Sequence, residues 1–319
     1  MNTPTTTVAA RPAPKRPFTL IGELMNNSFA RAARAFEARD VAKYQELAKL
    51  QADLGAGYLT LNIDGTQRMN VKMQDMLDFL PTLVPAIQEA TNVPLSFDNP
   101  ATEFHAKALA LYKRNGANQP VLNSVAASRH DLDGLLALAA KYDTKVIIMA
   151  SEKFVEGGGA QCTKPEEVLA ATKYHVKLLR EKAGRKNHEL IVDPGLAPVS
   201  ADTYGLVNLG LDAIKLIRQD PDLESIHISV GLTNFSFGLP KDIREGVEKA
   251  YITLAHRNGL DFVLGNPEKD LQLLDDDSRY MKVVTAALEA GRPQPGETQE
   301  DAGFRQSDKI MELFSEEDR

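Results

Sequence analysis

The side chains best suited to chemistry in this chain are carboxylates, amides and a hydroxyl. They are Glu23, Asn26, Asn62, Asp64, Asp98, Asn123, Ser151, Asp193, Asn234 and Asn266, with no histidine or cysteine among them. A carboxylate accepts two parallel hydrogen bonds, and an amide both donates and accepts. Such a set suits a neutral ligand rich in N–H and carbonyl groups better than it suits metal, phosphate or acyl chemistry. Each residue also has a structural use. Asp193 precedes Pro194 and can organise a turn, Asn26 can cap a helix, and Asp64 before Gly65 is ordinary turn chemistry. What favours binding is that all of them occupy one kind of position.

That position is the end of a strand. Short runs rich in Val, Ile, Leu and Phe recur at Phe18–Gly22, Tyr58–Ile63, Pro94–Phe97, Pro120–Leu122, Lys145–Met149, Glu189–Val192, Ser225–Val230 and Asp261–Leu264. Runs of this kind are expected of strands buried on both faces. Helical spacing fills the intervals: Ala42–Leu54, Val71–Ala90 (two helices, or one bent at Pro81), Thr102–Arg114, Leu132–Tyr142, Pro165 to about Lys182, Tyr204–Gln219, Asp242–Asn258 and a last helix near Glu268. Pro165 followed by Glu166 and Glu167 is a helix N-terminus. Eight strands, each followed by a helix, predict an α/β fold of the (β/α)8 TIM-barrel type, whose sites lie at the C-terminal strand ends. The competing doubly wound sheet usually shows a Gly-rich first turn, and Ile21-Gly22-Glu23-Leu24-Met25 offers none.

The 319 residues fit one such barrel, placed at 18–290. Residues 1–17, basic and Pro-rich, are read as a disordered tail, and 291–319 as a linker with a short docking helix around Ile310, Met311, Leu313 and Phe314. A net charge of −7 argues against nucleic acid, and no apolar run is long enough to span a bilayer. The single cysteine, Cys162, excludes an internal disulfide and a thiolate metal cluster. A cytoplasmic location and no resident metal are the expectations. Gly157-Gly158-Gly159 reads as a mobile barrel loop, because no Lys-Ser/Thr follows it as in a phosphate cradle.

One stretch is more specific. Gly231-Leu232-Thr233-Asn234-Phe235-Ser236-Phe237-Gly238-Leu239-Pro240 resembles the signature of methyltetrahydrofolate–corrinoid methyltransferases, as does Asn258-Gly259-Leu260-Asp261. Ile21-Gly22-Glu23 with Asn26, Leu61-Asn62-Ile63, Phe97-Asp98, Leu122-Asn123-Ser124 and Val192-Asp193-Pro194 fall in that family's order, so the resemblance runs from about Phe18 to Pro267. It extends to the folate domain of cobalamin-dependent methionine synthase and, more distantly, to dihydropteroate synthase. Thr60 departs from it, standing where many relatives carry an acid.

The resemblance implies a pterin-binding barrel, homodimeric, that moves a methyl group between N5 of tetrahydrofolate and the cobalt of a corrinoid. Asp98, Asn123 and Asp193 would hold the pterin ring, joined by Glu23, Asn26 and Asn62, and Asn234 would be the catalytic contact near N5. The substrate would be tetrahydrofolate or 5-methyltetrahydrofolate, with the direction open. The corrinoid (cobalamin) would arrive free or on a separate corrinoid protein, since no histidine here lies in an Asp-x-His-x-x-Gly motif. Lys241 and Arg244 would meet the folate glutamate tail or simply face solvent. Two alternatives stay open: a non-catalytic folate- or corrinoid-protein-binding subunit, and another pterin enzyme such as dihydropteroate synthase.

Overall fold

The computed structural model describes residues 15–114 and 119–314. Most of the expected N-terminal tail, and the acidic end Glu316–Asp318, lie outside those residues. In chain order the elements are β1 (Thr19–Asn26), α1 (Ala30–Glu37), α2 (Val41–Asp53), β2 (Tyr58–Asn62), α3 (Met73–Ala90), β3 (Leu95–Asp98), α4 (Thr102–Leu111), β4 (Val121–Ala126), α5 (Leu132–Lys141) and β5 (Lys145–Met149). They continue with β6 (Glu152–Val155), β7 (Gly158–Gln161), α6 (Pro165–Ala183), β8 (Leu190–Asp193), α7 (Leu206–Gln219), β9 (His227–Ile228), α8 (Leu232–Phe235), α9 (Lys241–Arg257), β10 (Phe262–Gly265), α10 (Arg279–Ala290) and α11 (Gln299–Met311).

Eight strands pair in parallel in the order β10-β1-β2-β3-β4-β5-β8-β9. The two ends of the sheet meet through a parallel bridge between Gly231 and Leu264 and the bond from Leu264 N to Val230 O, 3.0 Å. The sheet therefore curls into a nearly closed TIM barrel, and the open doubly wound reading falls. Because side chains alternate along each strand, two cores form. Ile21, Tyr58, Val121, Ile147, Ile191 and Phe262 fill the barrel, and a larger apolar shell lies between strands and helices.

Local chemistry explains the helix ends. Asp40 caps α2 by accepting from Lys43 N at 3.0 Å. α6 starts at Pro165 and stops at Gly184, whose φ of 63° is the left-handed conformation of a C-terminal stop. α3 is one continuous helix through Pro81 and Pro85. Pro81 faces solvent, where water can meet the carbonyl that its missing N–H leaves free. No helix is long and apolar enough to cross a membrane, among the described residues.

Several expectations need correction. No helix forms near Glu268; residues 266–278 are loop and turn, and the barrel's last helix is α10. The charged side chains of residues 268–270 are committed elsewhere, with Glu268 on Arg31, Lys269 on Glu248 and Asp270 on Lys249. α1 had no forecast. The Gly157–Gly159 stretch is the tip and first rung of the antiparallel hairpin β6–β7, not an unstructured loop. A Cβ on Gly159 would come within 2.8 Å of Ser128 N, so glycine lets the hairpin lie against the β4–α5 connection. Beyond the hairpin Cys162 is buried, with its thiol 3.6 Å from Ala150 O and its pKa pushed up by burial to about 11. It should resist alkylation by iodoacetamide at pH 8 in the native protein and react only on unfolding, as mass spectrometry would record.

After α10 the polar, Pro-containing stretch is short. α11 begins at Thr298 in a capping box with Asp301, inside the segment expected to be linker. α11 seats on the connection between β8 and α7: Gln306 donates to Val199 O at 3.0 Å and Ser307 to Ser200 O at 3.1 Å.

Candidate functional site

At the C-terminal end of the barrel lies a cavity of about 300 Å³, lined by Asp98, Asn123, Arg129, Glu152, Asp193 and Asn234 among others. A neighbouring cavity of about 240 Å³ shares Met149, Asp193 and Asn234 with it and reaches Ser151, Gln161 and Leu206. Four of the residues singled out in the sequence thus converge from four elements: Asp98 from β3, Asn123 from β4, Asp193 from β8 and Asn234 from α8. The inward parity of each strand end and the barrel's closure bring them together.

The other candidates are placed differently. Asn62 backs Asp98, donating from Nδ2 to Asp98 Oδ2 at 3.0 Å while its Oδ1 accepts from Asp64 N at 3.1 Å. Glu23 and Asn26 line neither cavity. Asn26 Oδ1 accepts from Ser28 N at 2.8 Å in the turn before α1. Asp64 and Asn266 also serve local turns, accepting from Gly65 N and Glu268 N, each at 2.8 Å. Lys241 is exposed at the start of α9, and Arg244 Nε donates to Leu239 O at 2.6 Å; neither lines a cavity.

Electrostatics make the converging acids good receivers of N–H donors. Burial pushes the Asp193 carboxyl up to about 6, against the one hydrogen bond it accepts, from Gly195 N at 2.8 Å. Burial also raises Asp98, opposed by the Asn62 bond and the nearby Arg129 guanidinium. A carboxylate stripped of water regains solvation when a ligand offers fixed donors. Asn234 is different: its side chain is exposed at the cavity and makes no hydrogen bond among the described residues. Gly231 leaves it room, since a Cβ there would sit 3.1 Å from Asn234 Nδ2.

Beneath Asn234 the single turn α8 is anchored on its outer side. Phe235 lies against Tyr251, ring centroids 4.5 Å apart. Ser236 Oγ donates to Glu248, which is buried and takes Lys269 Nζ on both carboxylate oxygens at 2.6 Å. Removing one partner of a buried pair leaves an uncompensated charge. Lys269→Met is expected to cost about 3 kcal/mol, read as a lower urea midpoint with an unchanged slope. A midpoint within error of wild type would refute it.

Arg129 was not singled out from sequence. It lies three residues beyond β4, where a basic side chain ordinarily faces water, yet it turns inward. Its Nε donates to Ser124 O at 3.0 Å and an Nη to Ser124 Oγ at 2.7 Å. Glu152 and Gln161 come from the unforeseen hairpin, and Glu152 accepts from Ser128 N at 3.1 Å. The only sequence signal for this side of the site is the position of both segments immediately after strands.

Comparison with known proteins falls into the same region. The family described as "Pterin binding enzyme" matches residues 23–264. A methylcorrinoid:tetrahydrofolate methyltransferase of Eubacterium limosum is 26% identical over 251 residues, covering 78% of this chain and 84% of that protein. Among solved structures, the Yersinia pestis dihydropteroate synthase superposes with a TM-score of 0.53 at 17% identity, covering 87% of this chain and 94% of that one. A Xanthomonas albilineans dihydropteroate synthase gives 0.52 at 20%, covering 86% and 92%. At such identities the structural likeness speaks for the barrel alone.

Proposed function

Because the chain belongs to the pterin-binding enzyme family, we propose that it is a methyltransferase acting between N5 of tetrahydrofolate and the cobalt of a corrinoid held by a separate protein. The observation that carries this reading is Asn234. It is an amide without a protein partner among the described residues, facing the same cavity as the half-buried acids Asp98 and Asp193 and the buried Asn123 amide. The Eubacterium limosum relative, by its name, acts on the same pair of methyl carriers.

In this reading Asp98 and Asp193 accept from the N–H groups of the ring, and Asn123 both donates and accepts along its edge. These contacts fix the ring's plane, so that N5 is presented at the mouth and positioning supplies much of the rate. Asn234 stands where charge changes at N5. As a methyl group leaves, N5 must gain positive character first, and an amide polarising the incoming proton favours that state over the ground state. As a methyl group arrives, the same amide holds the N5 lone pair outward. The corrinoid supplies the metal that takes or gives the methyl group. The corrinoid-carrying protein would therefore cover the barrel mouth.

The test is to mix the protein with a methylated corrinoid protein, or methylcobalamin, and tetrahydrofolate, and to repeat it with cob(I)alamin and 5-methyltetrahydrofolate. Loss of the methyl-cobalt absorbance, or of the cob(I)alamin band, is the expected outcome. Spectra that stay unchanged in both directions with folate bound would sink the assignment. Formation of dihydropteroate from a pterin pyrophosphate and aminobenzoate would support the rival synthase reading instead.

A further inference from the structure

Glu23 is a buried acid that the mechanism above does not use. It stands in β1, 7% exposed, and accepts a hydrogen bond from Thr233 Oγ1 at 2.5 Å. Thr233 precedes Asn234 on α8, a helix of one turn whose N-terminus has no side-chain cap. The outer face of that turn is fixed by Phe235 on Tyr251 and by Ser236 on Glu248. On the Thr233 side, the side-chain tie runs to Glu23 across the barrel wall.

We propose that Glu23 is a positioning residue. Its carboxylate, through Thr233, sets the aim of Asn234 at the ring without touching the ring itself. The role as a ring contact that family order implies for Glu23 is thereby replaced, and the proposal rests on the methyl-transfer reading for its kinetic consequences. A charge-assisted bond is roughly twice as strong as a neutral one. The seat of α8 is therefore firmest when Glu23 is ionised and loosens when it is protonated. Charged groups facing Glu23 pull in opposite directions: Glu248 from α9 favours the protonated form, and Lys269 from the β10–α10 connection favours the carboxylate. Burial outweighs both Lys269 and the Thr233 bond and brings the group to about 7. The aim of Asn234 is then pH-sensitive in the neutral range, sharpening as pH rises.

Three variants and three readouts decide it. Thr233→Val removes the donor and should lower the turnover number about tenfold with folate affinity changed by less than about threefold. Thr233→Ser restores the rate. Glu23→Gln keeps an acceptor for Thr233 but cannot titrate, so the rise of turnover through about pH 7 expected of wild type should flatten. A crystal structure of Thr233→Val should show Asn234 displaced from the cavity. Wild-type turnover in Thr233→Val, or an unmoved Asn234 in that crystal, would overturn the proposal. So would a loss of folate affinity in Glu23→Gln as large as that in Asp193→Asn, since it would make Glu23 a ring contact. If wild type transfers no methyl group, the functional reading fails by itself, and the crystallographic position of Asn234 still judges the tie.

Discussion

Asn234→Ala is expected to lower methyl transfer by about 10²–10³-fold, the usual loss when one preorganised polar group at a charge-developing atom is deleted. The fall should appear in the turnover number much more than in folate affinity. In the proposed reading Asp98, Asn123 and Asp193 would still hold the ring, and only the interaction that strengthens on the way to the transition state would be removed. Stability should hardly change. The amide is exposed and makes no hydrogen bond among the described residues, so truncation breaks no folded-state contact of that kind. Single-turnover absorbance measurements with saturating folate separate the two effects. A variant as fast as wild type would remove Asn234 from the chemistry.

Asp193→Asn should separate binding from stability, with opposite signs. The folded carboxyl sits at about 6 against an ordinary 3.8. Between those values the native state binds more protons than the unfolded chain, so stability falls as pH rises from about 4 through about 6 and stays low above it. Holding the carboxyl that far above its ordinary value costs the folded, ionised state about 3 kcal/mol. Asparagine keeps an oxygen for Gly195 N and carries no charge. The ligand-free variant should therefore gain about 2 kcal/mol or more at pH 7.5 and nothing at pH 4. Folate affinity should drop about 30–100-fold, because a charge-assisted acceptor of ring N–H groups is lost and an amide donor takes its place. In wild type the same linkage should weaken folate binding as pH falls below about 6, where the carboxyl would first have to shed a proton. Denaturant melts across pH and titration calorimetry test both halves. A variant less stable at pH 7.5, or one binding folate as tightly as wild type, would contradict the assignment.

The barrel is legible in the sequence because its strands are short apolar runs with polar ends, a pattern that burial on both faces imposes. Those strand ends point to Asp98, Asn123, Asp193 and Asn234. What residue type does not reveal is which polar strand-end groups turn inward. Asn26, Asp64 and Asn266 have the same chemistry as the site residues and each gives an oxygen to the backbone two residues on or nearer, yet Asp193 does the same toward Gly195 N and still lines the cavity. That choice depends on local chain path rather than residue type. The hairpin is hidden because three glycines at its tip and first rung outweigh Lys153-Phe154-Val155, a run too short to register as a strand. Arg129 escapes because an arginine in a turn is solvated unless a partner such as Ser124 draws it in. In place of the expected helix near Glu268, the charged residues of that stretch bind outward, Glu268 to Arg31 of α1 and Lys269 and Asp270 to Glu248 and Lys249 of α9.

The match to the pterin-binding family ends at residue 264, but the architecture does not. α11 supplies hydrogen bonds to Val199 O and Ser200 O, and Val199 N in turn reaches Phe235 O at 3.0 Å, in the turn that carries Asn234. α10 packs between α9 and α11. The unit of kinship is therefore shorter than the unit of folding: a chain cut where the likeness stops would lose the outer buttress of the rim of its candidate site. For this protein, ancestry recorded in sequence marks where the pocket came from, while the last fifty or so residues record what keeps its edge in place.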